Sequence, residues 1–269
     1  MLSACLLMTY VENIKAWATT DGRSSSTASR LLLIYGSLMA VALLATYVWS
    51  LSDLRTLRDV GIWAKPMKFM AATALFAWTT VWLAAIASTT VSHGEPFKWI
   101  AGMIIASSLF EVAYISYQAA QGSESHYNTS DALHALLFGI MALAAFGLTA
   151  SQAWLALEIW RGSGTTPRSA VTLGAVIGLV LTFALATVSG FLLGGNQPPP
   201  GPGLPVTGWH MPGDLRPAHF LGVHAQQLIP LLGLLAERTL GGYASLGLMA
   251  TSALYVIAWV AMTWFGLSG

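Results

Sequence analysis

Seven stretches of almost unbroken apolar residues run through the chain, each long enough to cross the roughly 30 Å hydrocarbon core of a bilayer as a helix of about 20 residues. They lie at 31–51, 66–88, 99–120, 131–157, 170–194, 217–236 and 242–267. Polar or breaker-rich segments separate them, at 53–65, 93–98, 121–130, 158–168, 195–216 and 237–241. This pattern predicts an all-α fold, a seven-transmembrane helical bundle forming one domain over 31–269. Before it, the apolar run 1–10 is short, lacks a basic leader and meets Glu12 and Lys15, so it reads as an interfacial helix within 1–30 and not as a cleavable signal. Pro66 and Pro217 fall in the first turns of spans two and six, where the missing N–H removes no helical bond. Gly174-x3-Gly178 and Gly190-x3-Gly194 in span five are spaced for a close helix neighbour.

Composition agrees with the pattern. Of 269 residues, 55% are apolar and 9% charged, too few charges to coat a water-soluble domain. The mean hydropathy is +0.65. A net charge of +1 and the absence of a basic cluster exclude a nucleic-acid partner, and the single Cys5 excludes a disulfide framework. The natural partners are membrane lipids and a hydrophobic or lipid-like small molecule.

Seven crossings put the loops after spans one, three and five on the side of the C-terminus. Seven of the twelve Lys and Arg fall on the opposite, N-terminal side, so the positive-inside rule directs the N-terminus to the cytoplasm of a bacterial inner membrane. Five of the six His fall on the C-terminal side: His126, His134, His210, His219 and His224.

Glu111 lies nine residues before the end of span three, roughly 13 Å deep at about 1.5 Å per residue. An acidic residue at a helix centre costs about 3 kcal/mol on insertion scales, so Glu111 is a candidate catalytic acid or base, protonated or metal-bound at rest. Ser107, Ser108, Tyr114 and Gln118 share its face, with Tyr114 and Gln118 as substrate-binding candidates. His224 sits two turns into span six with Gln227 three residues later on the same face, while His219 lies about 140° away and suits a gate near the interface. His134 enters span four one turn deep, after Ser130 or Asp131 as helix cap, and His126 and Asn128 occupy the preceding loop. His126, His134 and His224 are the candidate metal ligands. Lys65 and Lys68 share one face at the start of span two, where the helix dipole disfavours cations, so an anion should compensate them. A lipid phosphate, a substrate carboxylate, or Glu111, Glu124 and Asp131 are the candidates. With His219 and Gln227 these lysines complete the substrate-binding set. Asp214 and Arg216 can pair and fix the Pro- and Gly-rich loop 195–216 as a stiff lid.

Three segments, Trp63-Ala64-Lys65-Pro66-Met67-Lys68-Phe69, Glu111 with Ser125-His126-Tyr127-Asn128, and Gly213-Asp214-Leu215-Arg216-Pro217-Ala218-His219-Phe220-Leu221-Gly222-Val223-His224-Ala225-Gln226, resemble an uncharacterised family of bacterial multi-pass membrane proteins. That resemblance implies no activity. Ser130-x3-His134 is also similar to the first motif of seven-span zinc hydrolases of the alkaline ceramidase and adiponectin-receptor type. It stands in span four instead of early in the bundle, and His219-x4-His224 departs by one residue from their late His-x3-His.

Three functions follow as expectations. One is a metal-dependent membrane hydrolase or oxidoreductase with a transition metal (zinc, iron or copper) on the His set and a lipid-like substrate at Lys65 and Lys68. A second is a haem-binding electron-transfer protein with His134 and His224 as axial ligands. A third is a proton-coupled transporter or sensor in which Glu111 carries the proton. Span seven has no Lys, which excludes a retinal Schiff base there.

Overall fold

The structure is a computed structural model that describes residues 25–162, 168–205 and 207–268. The expected interfacial helix at the start of the chain lies outside these residues. Seven long helices follow in order: α1 (Thr27–Ser50), α2 (Ala64–Ala87), α3 (Glu95–Ala120), α4 (Ala132–Gly162), α5 (Ala170–Gly195), α6 (Arg216–Leu240) and α7 (Ala244–Leu267). A one-turn helix, Thr89–His93, links α2 to α3. Among the described residues six helical stretches are long and apolar enough to cross a membrane, the last being the 52 residues Arg216–Leu267. That stretch turns back on itself. A 3₁₀ turn at Gly241–Tyr243 reverses it, using a positive φ of 51° at Gly241 that only glycine adopts freely. Gly213 N–H then donates to Phe265 O and Tyr255 Oη to Leu221 O, so α6 and α7 are antiparallel and the described residues make seven crossings.

Several ends differ from the apolar runs for local reasons. α1 begins four residues before its run because Ser26 Oγ accepts from Ser29 N–H at 3.1 Å, a cap that hydropathy does not register. α4 continues to Gly162 through Glu158 and Arg161, a helix of roughly 46 Å whose polar end outlasts the hydrocarbon. Between α1 and α2 stands a hairpin, β1 (Thr56–Leu57) with β2 (Val60–Gly61), paired antiparallel. Its turn residues Arg58 and Asp59 both have positive φ, 53° and 63°, the pattern of a type I′ turn. Strands of two residues carry no periodic signal.

The core is centred on α1 to α5, with Leu32, Leu83, Phe97, Ile100, Ile104, Leu155, Ile159 and Leu179 buried between them. α5 and α6 meet along small residues. A methyl placed on Gly178 would stand 2.8 Å from Ala225 O, and one on Gly174 would stand 3.0 Å from Ile229 O. The first glycine pair of span five is thus a packing seam, while Gly194 has nothing within 4 Å. Large apolar side chains left exposed, such as Leu38, Leu44, Leu143, Phe191 and Leu254, suit lipid contact.

The loops after α1, α3 and α5 gather at one end of the bundle. Arg58 Nη2 donates to Pro198 O at 2.6 Å, Gly201 N–H donates to Arg58 O, and Arg58 Nε lies 3.5 Å from Glu124 Oε1. Arg55 Nη1 donates to Ala120 O. With Gly213 bonded to Phe265, the three loops and the C-terminal end of α7 share this lid end, as the parity of the spans requires.

Candidate functional site

The loop between α3 and α4 folds back onto the start of α2. Lys65 is the second residue of α2, and its Nζ donates to Ser125 Oγ at 2.9 Å and to His126 Nδ1 at 2.9 Å. Ser125 Oγ and His126 Nδ1 are themselves 3.2 Å apart, so the three groups close a triangle. Phe69, Phe138 and Tyr127 surround the imidazole at ring distances of 6.0, 5.9 and 6.4 Å. Burial, then the neighbouring Lys65 and His219, hold His126 well below its ordinary pKa. It is therefore neutral, with Nδ1 an acceptor for Lys65.

Tyr127 fixes the fold-back. Its φ is +61°, an uncommon conformation for a bulky side chain, and its Oη donates to Leu193 O at 2.5 Å. Burial pushes its phenol up to about 12.

Glu111, on α3, is 7% exposed. Among the described residues it has no hydrogen bond and no ion pair within 4 Å, yet it is within electrostatic range of Lys65. Its neighbours on the stripe are paired elsewhere: Ser108 Oγ with Tyr35 Oη at 2.8 Å, and Gln118 Nε2 donating to Tyr114 Oη at 2.9 Å. Tyr114 and Gln118 thus reinforce one another beside the carboxyl. Lys65 is exposed and His126 and His219 are half-buried, so accessible space reaches these three, while Ser125 and Glu111 are buried. His219 reaches this space from α6, with Nδ1 3.2 Å from Ser189 Oγ and its ring above Gly190.

The remaining candidates are held by other partners. Asp131 Oδ1 caps α4 by accepting from His134 N–H at 2.9 Å, and its Oδ2 lies 2.6 Å from His134 Nδ1. Those two contacts hold the Asp131 carboxyl below its usual range. The His224 ring lies 4.3 Å from that of Phe220, tilted by 50°, with Nδ1 3.3 Å from Gln227 Oε1, and Gln227 Nε2 donates to Thr79 Oγ1. The shared face of His224 and Gln227 is therefore present, but its partner is α2 and not His134. Among the described residues no three His, Cys, Asp or Glu side chains stand together as a metal site.

Glu124 and Glu111 lie within electrostatic range of Lys65, but among the described residues no carboxylate makes a direct ion pair with either lysine. Glu124 takes Arg58 and Asp131 takes His134, while Lys68 Nζ donates to Thr207 O of the lid at 2.7 Å. The lid is anchored by Asp214, which is 1% exposed, pairs with Arg216 at 2.7 Å and accepts from His210 N–H. Burial opposes its ionisation, but the Arg216 guanidinium and the two main-chain N–H groups prevail and keep its pKa below the ordinary value. Arg216 Nη2 also donates to Gly208 O.

Ser125, Ser189 and Thr79 were not among the candidates. Ser125 adjoins His126 in the sequence, yet only the fold-back brings it to Lys65, sixty positions earlier. Compared with known proteins, the chain matches no family model, no curated protein and no solved structure, so neither resemblance finds support and the chain stands as an all-α, multi-pass membrane protein.

Proposed function

We propose that this chain is a membrane-embedded enzyme acting on a lipid-like substrate by acid–base chemistry at the lid end. One observation carries the reading: an amine, a hydroxyl and an imidazole from two separate segments close a hydrogen-bonded triangle at Lys65, Ser125 and His126, with the buried carboxyl of Glu111 within electrostatic range of the amine. The chemistry requires such convergence, because general acids and bases work only within hydrogen-bond reach of one reacting centre. Lys68 has no carboxylate partner within 4 Å among the described residues, which leaves its charge for an anionic headgroup entering beneath the lid. By the distribution of Lys and Arg, the lid end faces away from the cytoplasm.

The test is turnover of a defined lipid mixture in nanodiscs, followed by mass spectrometry. The wild type should convert at least one lipid class, and Glu111→Gln and His126→Ala should lower conversion at least tenfold while keeping the thermal transition. Conversion that is absent in the wild type, or equal in the variants, refutes the proposal. A second reading rests on Glu111 alone: a buried carboxyl without a hydrogen-bond or ion-pair partner among the described residues also suits a proton-coupled carrier or sensor. Proton uptake into vesicles that disappears in Glu111→Gln, with no lipid turnover, would select it.

A further inference from the structure

Resting on the enzyme reading, we propose that Ser125 is the nucleophile of an acyl-transfer reaction and Lys65 the base that takes its proton, with a lipid-borne carboxylic ester as the substrate class.

Geometry carries the assignment. Ser125 Oγ lies 2.9 Å from Lys65 Nζ, within the reach a base needs to activate a hydroxyl. His126 Nδ1 lies 2.9 Å from the same Nζ and orients it, as the third member of a nucleophile, base and orienting group. His126 is thus a positioning residue. The triangle follows a fold-back fixed by the positive φ of Tyr127, a conformation that sparse backbone regions supply at functional sites. A purely structural tie would need one hydrogen bond to the loop. Here the amine meets two side chains of neighbouring residues, and the buried carboxyl of Glu111 lies within electrostatic range of it.

In the reaction, Lys65 in its neutral form accepts the proton of Ser125 Oγ–H as Oγ bonds to the ester carbonyl carbon. The carbonyl electron pair moves onto oxygen, returns, and breaks the bond to the alkoxide, which takes the proton back from Lys65 and leaves as an alcohol. Water then gives a proton to Lys65 and attacks the Ser125 ester, and collapse returns Ser125 Oγ–H and a free carboxylic acid. The sum is ester plus water giving acid plus alcohol. Ser125 is 4% exposed, so substrate reaches it only past the loops that cover it. Arg58 ties those loops together through Pro198, Gly201 and Glu124.

An alkyl fluorophosphonate tests this without knowledge of the substrate, since it phosphonylates only an activated serine. The full chain in nanodiscs should gain one adduct, mapped to Ser125 by peptide mass spectrometry and missing in Ser125→Ala. Lys65→Arg keeps donors to Ser125 and His126 but, being always protonated, accepts no proton. It should retain the thermal transition and label at least tenfold more slowly. Arg58→Ala should label faster than the wild type. An unlabelled wild type, an adduct elsewhere, or wild-type labelling in Lys65→Arg overturns the assignment. Lipid turnover without an adduct on Ser125 removes the nucleophile and leaves the enzyme reading standing, whereas an adduct without lipid turnover removes the lipid substrate and leaves the nucleophile.

Discussion

Gly222→Ala tests the seam that brings His219 to the site. A Cβ at Gly222 would stand 2.7 Å from Ala186 N, 2.8 Å from Ala186 Cα and 2.8 Å from Leu185 C, all backbone atoms of α5 that no rotamer can move. Ordinary contact begins at 3.4 Å. α6 must therefore withdraw by about 0.7 Å, which stretches the 3.2 Å contact of Ser189 with His219 to about 3.9 Å, beyond hydrogen-bond range. Overpacking costs about 1–3 kcal/mol and the lost hydrogen bond about 1 kcal/mol more. For a chain of this size that corresponds to a fall in Tm of roughly 5–15 °C. Tryptophan fluorescence during a thermal ramp in detergent would measure it. Gly102→Ala is the matched control, because nothing lies within 4 Å of its added methyl. There the gain of helix propensity, about 1 kcal/mol, should leave Tm unchanged or slightly raised. A Gly222→Ala variant that melts with the wild type, or a Gly102→Ala variant that falls equally, would refute the seam.

Other outcomes follow from the lid and the unclustered histidines. Asp214→Asn leaves the half-buried Arg216 uncompensated and should destabilise by about 2–4 kcal/mol at neutral pH. Because the folded pKa of Asp214 is depressed, its contribution is full above the unfolded value near 4 and is lost as pH falls through the folded value, so acid titration of stability should be flatter in the variant. In a Cys5→Ser background, Leu204→Cys and Ser268→Cys should react with an impermeant thiol reagent from the same side of a vesicle and Glu95→Cys from the other; opposite accessibility at 204 and 268 contradicts seven crossings. His134→Ala removes a surface pair with Asp131 and should change stability by less than about 1 kcal/mol, leaving lipid turnover intact. A loss of turnover would return His134 to the site.

The spans were legible because lipid demands long apolar runs, and every run contains a helix. Ends were less so. Ser26 and Asp131 set helix starts through single side-chain caps, and Glu158 and Arg161 continue α4 in polar residues that hydropathy assigns to a loop. Gly174 and Gly178 matched their spacing signal, but Gly190 only underlies His219 and Gly194 touches nothing within 4 Å, since spacing does not say which face a neighbour covers. For the site, periodicity placed Glu111 on a polar face and His224 with Gln227 on another. It left open the course of loop 121–131, which turns on one backbone angle at Tyr127 and decides that Lys65 meets Ser125 and His126 instead of a carboxylate.

Whether Lys65 and His126 belong to one site is open to direct measurement by a double-mutant cycle on thermal stability. Groups that share hydrogen bonds couple by about 0.5–3 kcal/mol, and separated ones add within about 0.3–0.5 kcal/mol. Lys65→Met and His126→Ala share a 2.9 Å contact and should couple by at least about 0.5 kcal/mol, while His134→Ala and His224→Ala, each held by a different partner, should be additive. Additivity at the first pair with coupling at the second would contradict the lid-end site and point to the histidine pair instead.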